Sequence, residues 1–185
     1  GSILHARIAT QGMEQTLNGS VNYSNSKIAL RGGATWRNFG DLVGGDTTGK
    51  QTPTEYKELD FDLKSKILFS PLTDLTILFQ HVHQADVPVY HKITLENYAV
   101  YKMDPQERDL GYLRFKHNFD RGILKSAVLT ASLHRSEEGR EIQKNGFSLY
   151  RIENDKVHSY GVTAEVLVSS GNIWSAQNGI EAYHY

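Results

Sequence analysis

The sequence predicts an all-β fold: an antiparallel up-and-down meander of about nine strands, forming a segment of a large transmembrane β-barrel. Three observations predict it. Apolar residues recur with a period of two, several of the periodic stretches run ten residues or more, and the connections alternate between short and long. Successive strand side chains point to opposite faces, so a period of two gives each stretch one apolar face. No stretch holds a 3.6-residue period over more than two turns.

The expected strands lie at residues 3–11, 15–24, 27–39, 55–69, 74–85, 107–118, 122–136, 156–168 and 173–185. In the second, Leu17, Gly19, Val21 and Tyr23 alternate with Thr16, Asn18, Ser20 and Asn22. In the third, Ile28, Leu30, Gly32, Ala34 and Trp36 alternate with Lys27, Arg31, Thr35 and Arg37. The fourth opposes Leu59, Phe61, Leu63, Ser65 and Ile67 to Glu58, Asp60, Asp62, Lys64 and Lys66. Later, Ala127, Leu129, Ala131 and Leu133 form one row, and Tyr160, Val162, Ala164, Val166 and Val168 another. Such lengths exceed the roughly 5–6 residues usual in globular sheets and suit the roughly 9–11 that cross a bilayer at a tilt.

Short connections are expected at SNS near Asn25, SPLTD from Ser70, NFDRG from Asn118 and SSGN from Ser169; long ones at 40–54, 86–106 and 140–155. Outer-membrane barrels segregate loop length in this way, with short turns on one side and longer loops on the other. Only GMEQ, after the first strand, is short where a long loop is expected. Tyr23, Phe69, Phe119 and Trp174 fall beside short turns, and Trp36, Phe39 and Tyr56 beside a long one. This distribution matches the aromatic girdles of a membrane barrel.

Composition narrows the function classes. The 185 residues carry a formal charge of −1 and no cysteine, which removes the electrostatic case for nucleic acid and excludes disulfide and thiolate chemistry. Mean hydropathy is −0.46 and no run approaches the ~20 apolar residues of a membrane helix, but neither observation bears on a strand-built membrane protein. The start GSILHARIATQ lacks the basic, apolar and small-residue segments of a signal peptide. An odd strand count leaves an unpaired edge, whereas single-chain bacterial barrels have even counts, so the chain is expected to be part of a larger barrel.

Several stretches resemble the barrel of TonB-dependent outer-membrane receptors. They are RGGATWRNFGDLVGG, TEYKELDFDLKSKILFSPLTDLTILFQHVHQADVPVYHK, MDPQERDLGYLRF and HSYGVTAEV, followed by NGIEAYHY. In order and spacing they are similar to consecutive barrel strands over residues 3–185. The resemblance implies a bacterial outer-membrane receptor of about twenty-two strands with a plug domain in its lumen. It also implies uptake of a scarce large solute, such as an iron chelate, driven by the TonB complex. Expected partners are then outer-membrane lipid, the plug domain, the TonB complex and the solute. The plug, the TonB box and the remaining strands have no counterpart in residues 1–185. The loop histidine between FRAP and NPNL, which marks haem receptors, is missing too. A soluble β-sandwich binding module, of carbohydrate-binding type, is the alternative.

Candidate ligand-binding residues are His81, His83, Tyr90 and His91, in QHVHQADVPVYHK. His81 and His83 share a strand face and are spaced to meet one transition metal, but a place as interfacial or lumen residues near the strand's outer end accounts for them better, and no metal site is assigned. Pro88 is expected to end the strand by removing a ladder donor. In DPQERDL, Asp104, Glu107 and Asp109 are read as the aqueous rim where a loop re-enters the wall, with Pro105 blocking earlier pairing. Asp109 is read as starting an inward-facing row, and none of these acids as catalytic. TTGKQT lacks the spaced glycine and following helix of a phosphate loop. No cofactor and no enzymatic activity are expected.

Overall fold

Because the stretches alternate in polarity, the chain can pair strand to neighbouring strand and keep one apolar and one polar face between the short turns and the level of His81. The computed structural model, which describes residues 1–171 and 173–185, has this arrangement. Its long strands are β1 (Ser2–Ile8), β2 (Gln15–Ser24), β3 (Ile28–Phe39), β6 (Tyr56–Ser70), β7 (Thr73–Ala85), β9 (Tyr98–Asn118), β10 (Leu124–Lys144), β11 (Tyr150–Ser170) and β12 (Trp174–His184). The short β4 (Leu42–Val43) and β5 (Lys50–Gln51) pair with each other, while β8 (Val87–Pro88) pairs with β9. One helix, α1 (Tyr90–Leu95), follows β8. The long strands form one antiparallel sheet in the order β1-β2-β3-β6-β7-β9-β10-β11-β12, and the sheet is not closed.

The nine predicted strands are all present, but the first ends at Ile8 rather than at residue 11, and the loop boundaries of the sixth, seventh and eighth change. Residues 98–106, assigned to a loop, are the first half of β9, and Pro105 lies inside that strand rather than blocking it. The expected loop 140–155 is mostly paired: Arg140 faces Glu153, and only 145–149 connects β10 to β11. At residues 104–105 two residues oppose one, because the pairing passes from Gln106↔Glu138 to Met103↔Arg140. Gly139 faces this bulge, and a Cβ there would overlap the Asp104 carbonyl oxygen. Of the SSGN connection, Asn172 lies outside the described residues.

Register aligns the apolar rows across the sheet: Gly32↔Leu63, Leu63↔Phe79, Phe79↔Gly111, Gly111↔Leu133 and Leu133↔Tyr160 follow one another along a single line. The apolar face is the exposed one. Phe61 is 41% exposed, whereas Asp74 on the polar face is 8% exposed. Ile142 is the only buried hydrophobic residue among those described. Among the described residues no second sheet is stacked on this one; α1 packs against β9, and β8 extends the ladder of β9. A water-soluble sheet hides its hydrophobic face, and here the buried pair on β7 is Asp74 and Thr76, on the polar face.

Candidate functional site

Strand parity places the histidines. His81 and His83 continue the row Leu75, Ile77 and Phe79, so they belong to the apolar face, at its long-connection end. Asp109 continues Gly111, Leu113 and Phe115 on the same face, which corrects the inward-facing assignment; Leu110 and Tyr112 are the polar-face residues. Two cross-strand lines of ionisable side chains result. The first runs His81, Asp109, Arg135 and His158; the second runs His83, Glu107, Glu137 and Lys156.

The lines are knitted together laterally. His81 Nδ1 donates to Asp109 Oδ1 at 2.6 Å, and His83 Nδ1 to Glu107 Oε1 at 3.1 Å. Arg135 reaches Asp109 at 3.3 Å and Glu137 at 2.6 Å. Glu137 also accepts from Asn154 at 2.8 Å and lies 2.9 Å from Lys156 Nζ. The two imidazoles are nearly parallel with centroids 6.4 Å apart. Metal–nitrogen bonds of about 2.1 Å hold two ligand nitrogens within about 4 Å of each other. Parallel rings at this separation, with Nδ1 already engaged on each, do not converge on one ion. Among the described residues, no group of three histidine or acidic side chains is placed to hold a metal.

Tyr90 and His91 lie elsewhere, in the first turn of α1. The structure therefore brings His81 and His83 together but groups neither Tyr90 nor His91 with them. Next to α1 is a cavity of about 530 Å³, whose lining includes Phe39, Tyr56, Pro88, Ile93, Tyr101 and Lys102; α1 contributes Ile93 rather than Tyr90 or His91. Phe39 and Tyr56 stack with centroids 4.6 Å apart. Both continue the polar-face rows of Arg37 and Glu58, so of the three aromatics expected to form a girdle here, only Trp36 projects from the apolar face. Lys102 is ringed by Asp86, Asp104 at 3.3 Å and Glu141 at 3.1 Å. Its ammonium holds the Asp86 carboxyl below the usual carboxylate range.

The cavity is walled on one side by connection 40–55, and that connection is tied down by one carboxylate. Asp41 accepts from Thr52 Oγ1 at 2.6 Å and from the backbone N–H groups of Thr54 at 2.7 Å and Glu55 at 3.2 Å. The Thr52 hydroxyl and then the Thr54 amide bring its pKa from 3.8 to about 2, overriding the opposing effect of burial, and Lys50 adds a smaller contribution. Farther along the polar face, Arg37 bridges Glu58 and Asp60. Aromatic faces, an ammonium and several carboxylates around an open cavity can hold a polar solute by stacking and hydrogen bonding.

Sequence reasoning passed over Phe39, Tyr56 and Lys102 as parts of one site. Parity would have placed the first two on the polar face, but the meeting of Lys102 with Glu141 depends on a cross-strand register that begins at the bulge. Comparison of the chain with protein-family models, curated proteins and solved structures finds no match.

Proposed function

We propose that this chain forms part of the wall of a transmembrane β-barrel in a bacterial outer membrane, within a receptor of the TonB-dependent kind that captures and imports a scarce large solute. The observation that carries the membrane reading is the inverted burial: Leu59, Phe61, Leu63 and Phe79 are exposed on one continuous face, while Asp74, Thr76 and their polar neighbours are enclosed on the other. In water that face would cost roughly 25 cal/mol for each Å² left unburied; against lipid the cost vanishes. Connection lengths support the same reading over the first part of the chain, where the turns beyond β2 and β6 are short and those beyond β3 and β7 are long, whereas 145–149 beyond β10 is as short as 119–123 beyond β9. The cavity beside α1 then opens at the outer rim, where a solute arrives. The import role rests on the receptor resemblance of the strand sequences.

The two tryptophans supply the test. Trp36 and Trp174 both project from the apolar face, near its opposite ends. With the chain refolded into phosphatidylcholine vesicles, brominated lipids should quench both fluorophores, most strongly when the bromines sit near the headgroups. Absence of quenching at every bromine depth would end the membrane reading.

A further inference from the structure

The two ionic lines adjoin the apolar rows on the same face, one step beyond Phe79, Gly111, Leu133 and Tyr160. If that face meets lipid, as proposed above and on which this inference rests, the lines cannot lie in hydrocarbon, where each charge is costly. Across strands tilted by about 40° such a line climbs about 3 Å per strand, so at Arg135 on β10 and Lys156 on β11, about 9–12 Å beyond its depth on β6, it marks headgroup level. Their arrangement in depth is directional. The Lys156 and Arg135 side chains are 52% and 36% exposed, whereas Glu137 is 8% exposed beneath them. All three carboxylates, Glu107, Asp109 and Glu137, are occupied by neighbouring donors within the array. What faces outward is a set of N–H donors: the Lys156 ammonium, the Arg135 guanidinium and the exposed His158 ring. Interstrand adhesion alone does not require this layering.

We infer that this array is a lipid-binding site that takes the phosphate of an anionic membrane lipid, with the acyl chains lying along Phe79, Leu133 and Tyr160. Lys156, with one contact to Glu137, supplies a mobile point charge with further N–H donors, and Arg135, whose NH1 and NH2 already serve Asp109 and Glu137, adds its remaining guanidinium hydrogens at the exposed edge. The carboxylates hold both cations in place; they number three against two cations, so the exposed N–H donors, not an excess of positive charge, are what draws the phosphate.

The test uses spin-labelled lipids with the chain refolded into phosphatidylcholine vesicles. Electron paramagnetic resonance resolves lipid immobilised at the protein surface from bulk lipid. Spin-labelled phosphatidylglycerol should be enriched over spin-labelled phosphatidylcholine in the immobilised fraction. Lys156→Gln should lower that preference about fivefold, as should Arg135→Gln. Glu137→Gln, which removes an acid and leaves both cations, should retain or raise it. If the array serves only to hold strands together, Glu137→Gln and Lys156→Gln will weaken the fold alike while the lipid preference stays flat. Immobilised lipid with no headgroup preference in the unmodified chain overturns this inference and leaves the membrane reading standing. No immobilised lipid at all overturns both. Displacement of the labelled lipid by inorganic phosphate would overturn the lipid assignment in favour of a free-anion site. Lys156 is half exposed, so its substitution supplies a readout even where Arg135→Gln fails to fold.

Discussion

Arginine placed at successive depths along β6 gives a direct measure of what the apolar face touches. The outward row runs Leu59, Phe61, Leu63, Ser65, Ile67 and Phe69, ten residue steps from end to end. At about 3.3 Å per step this is about 33 Å, and a strand tilt of about 40° reduces it to about 25 Å of height, the thickness of a barrel's apolar band. Leu63 then lies within about 3 Å of the band's middle, and Leu59 and Phe69 lie at its margins. Leu63→Arg should cost about 2–4 kcal/mol, and Leu59→Arg or Phe69→Arg about 0–1 kcal/mol. Denaturant titration of the refolded chain in phosphatidylcholine vesicles, followed by Trp36 and Trp174 fluorescence, measures each value. A flat profile, with Leu59→Arg as costly as Leu63→Arg, would refute the membrane assignment, because a sheet in water has no depth coordinate.

Three further outcomes follow from particular contacts. The Asp41 pKa is depressed from 3.8 to about 2, so its stabilisation of connection 40–55, about 2 kcal/mol, is complete above pH ~4 and lost as pH falls through about 2. Asp41→Asn should therefore raise amide exchange in that connection roughly 30-fold at neutral pH, and the difference should vanish in strong acid. Arg37→Met strands Glu58 and Asp60 side by side and should cost about 1–3 kcal/mol in the same unfolding assay, with partial rescue by adding Asp60→Asn. Gly139→Ala forces a Cβ to within 2.8 Å of Pro105 Cδ at the bulge and should cost about 1–3 kcal/mol, whereas Gly45→Ala, with open space around it, should stay within about 0.5 kcal/mol.

Much of the sheet could be read from polarity alone, because between the short turns and the ionic lines one face is apolar and the other is not. Beyond those lines the signal disappears. In EEGREIQK and YRIENDK both faces carry charge, so alternation stops, although the backbone ladder continues from Glu138↔Asp155 to Gln143↔Tyr150. Hydrogen bonding between strands does not depend on side-chain polarity, and for this reason loop 140–155 was read too long. The histidines illustrate a different limit. Their face followed from counting by twos from Phe79, but their partners Asp109 and Glu107 depend on the register across connection 86–97, which no local pattern reveals. Likewise, Asp41 is an ordinary loop aspartate until the chain folds back and delivers Thr52 and Thr54 to it.

Among the described residues the long strands pair in chain order, each with its long neighbours and β9 also with the short β8, and no crossover locks one hairpin behind another. Under mechanical load the sheet therefore behaves as a set of zips in series. Tension applied at Tyr185 reaches the β11–β12 ladder first, and β10 feels it only after that ladder opens. Extraction by force should proceed from the loaded edge inward, in steps set by the length of each strand or hairpin. The long β9–β10 and β10–β11 ladders, each reaching beyond the apolar band, should resist longest.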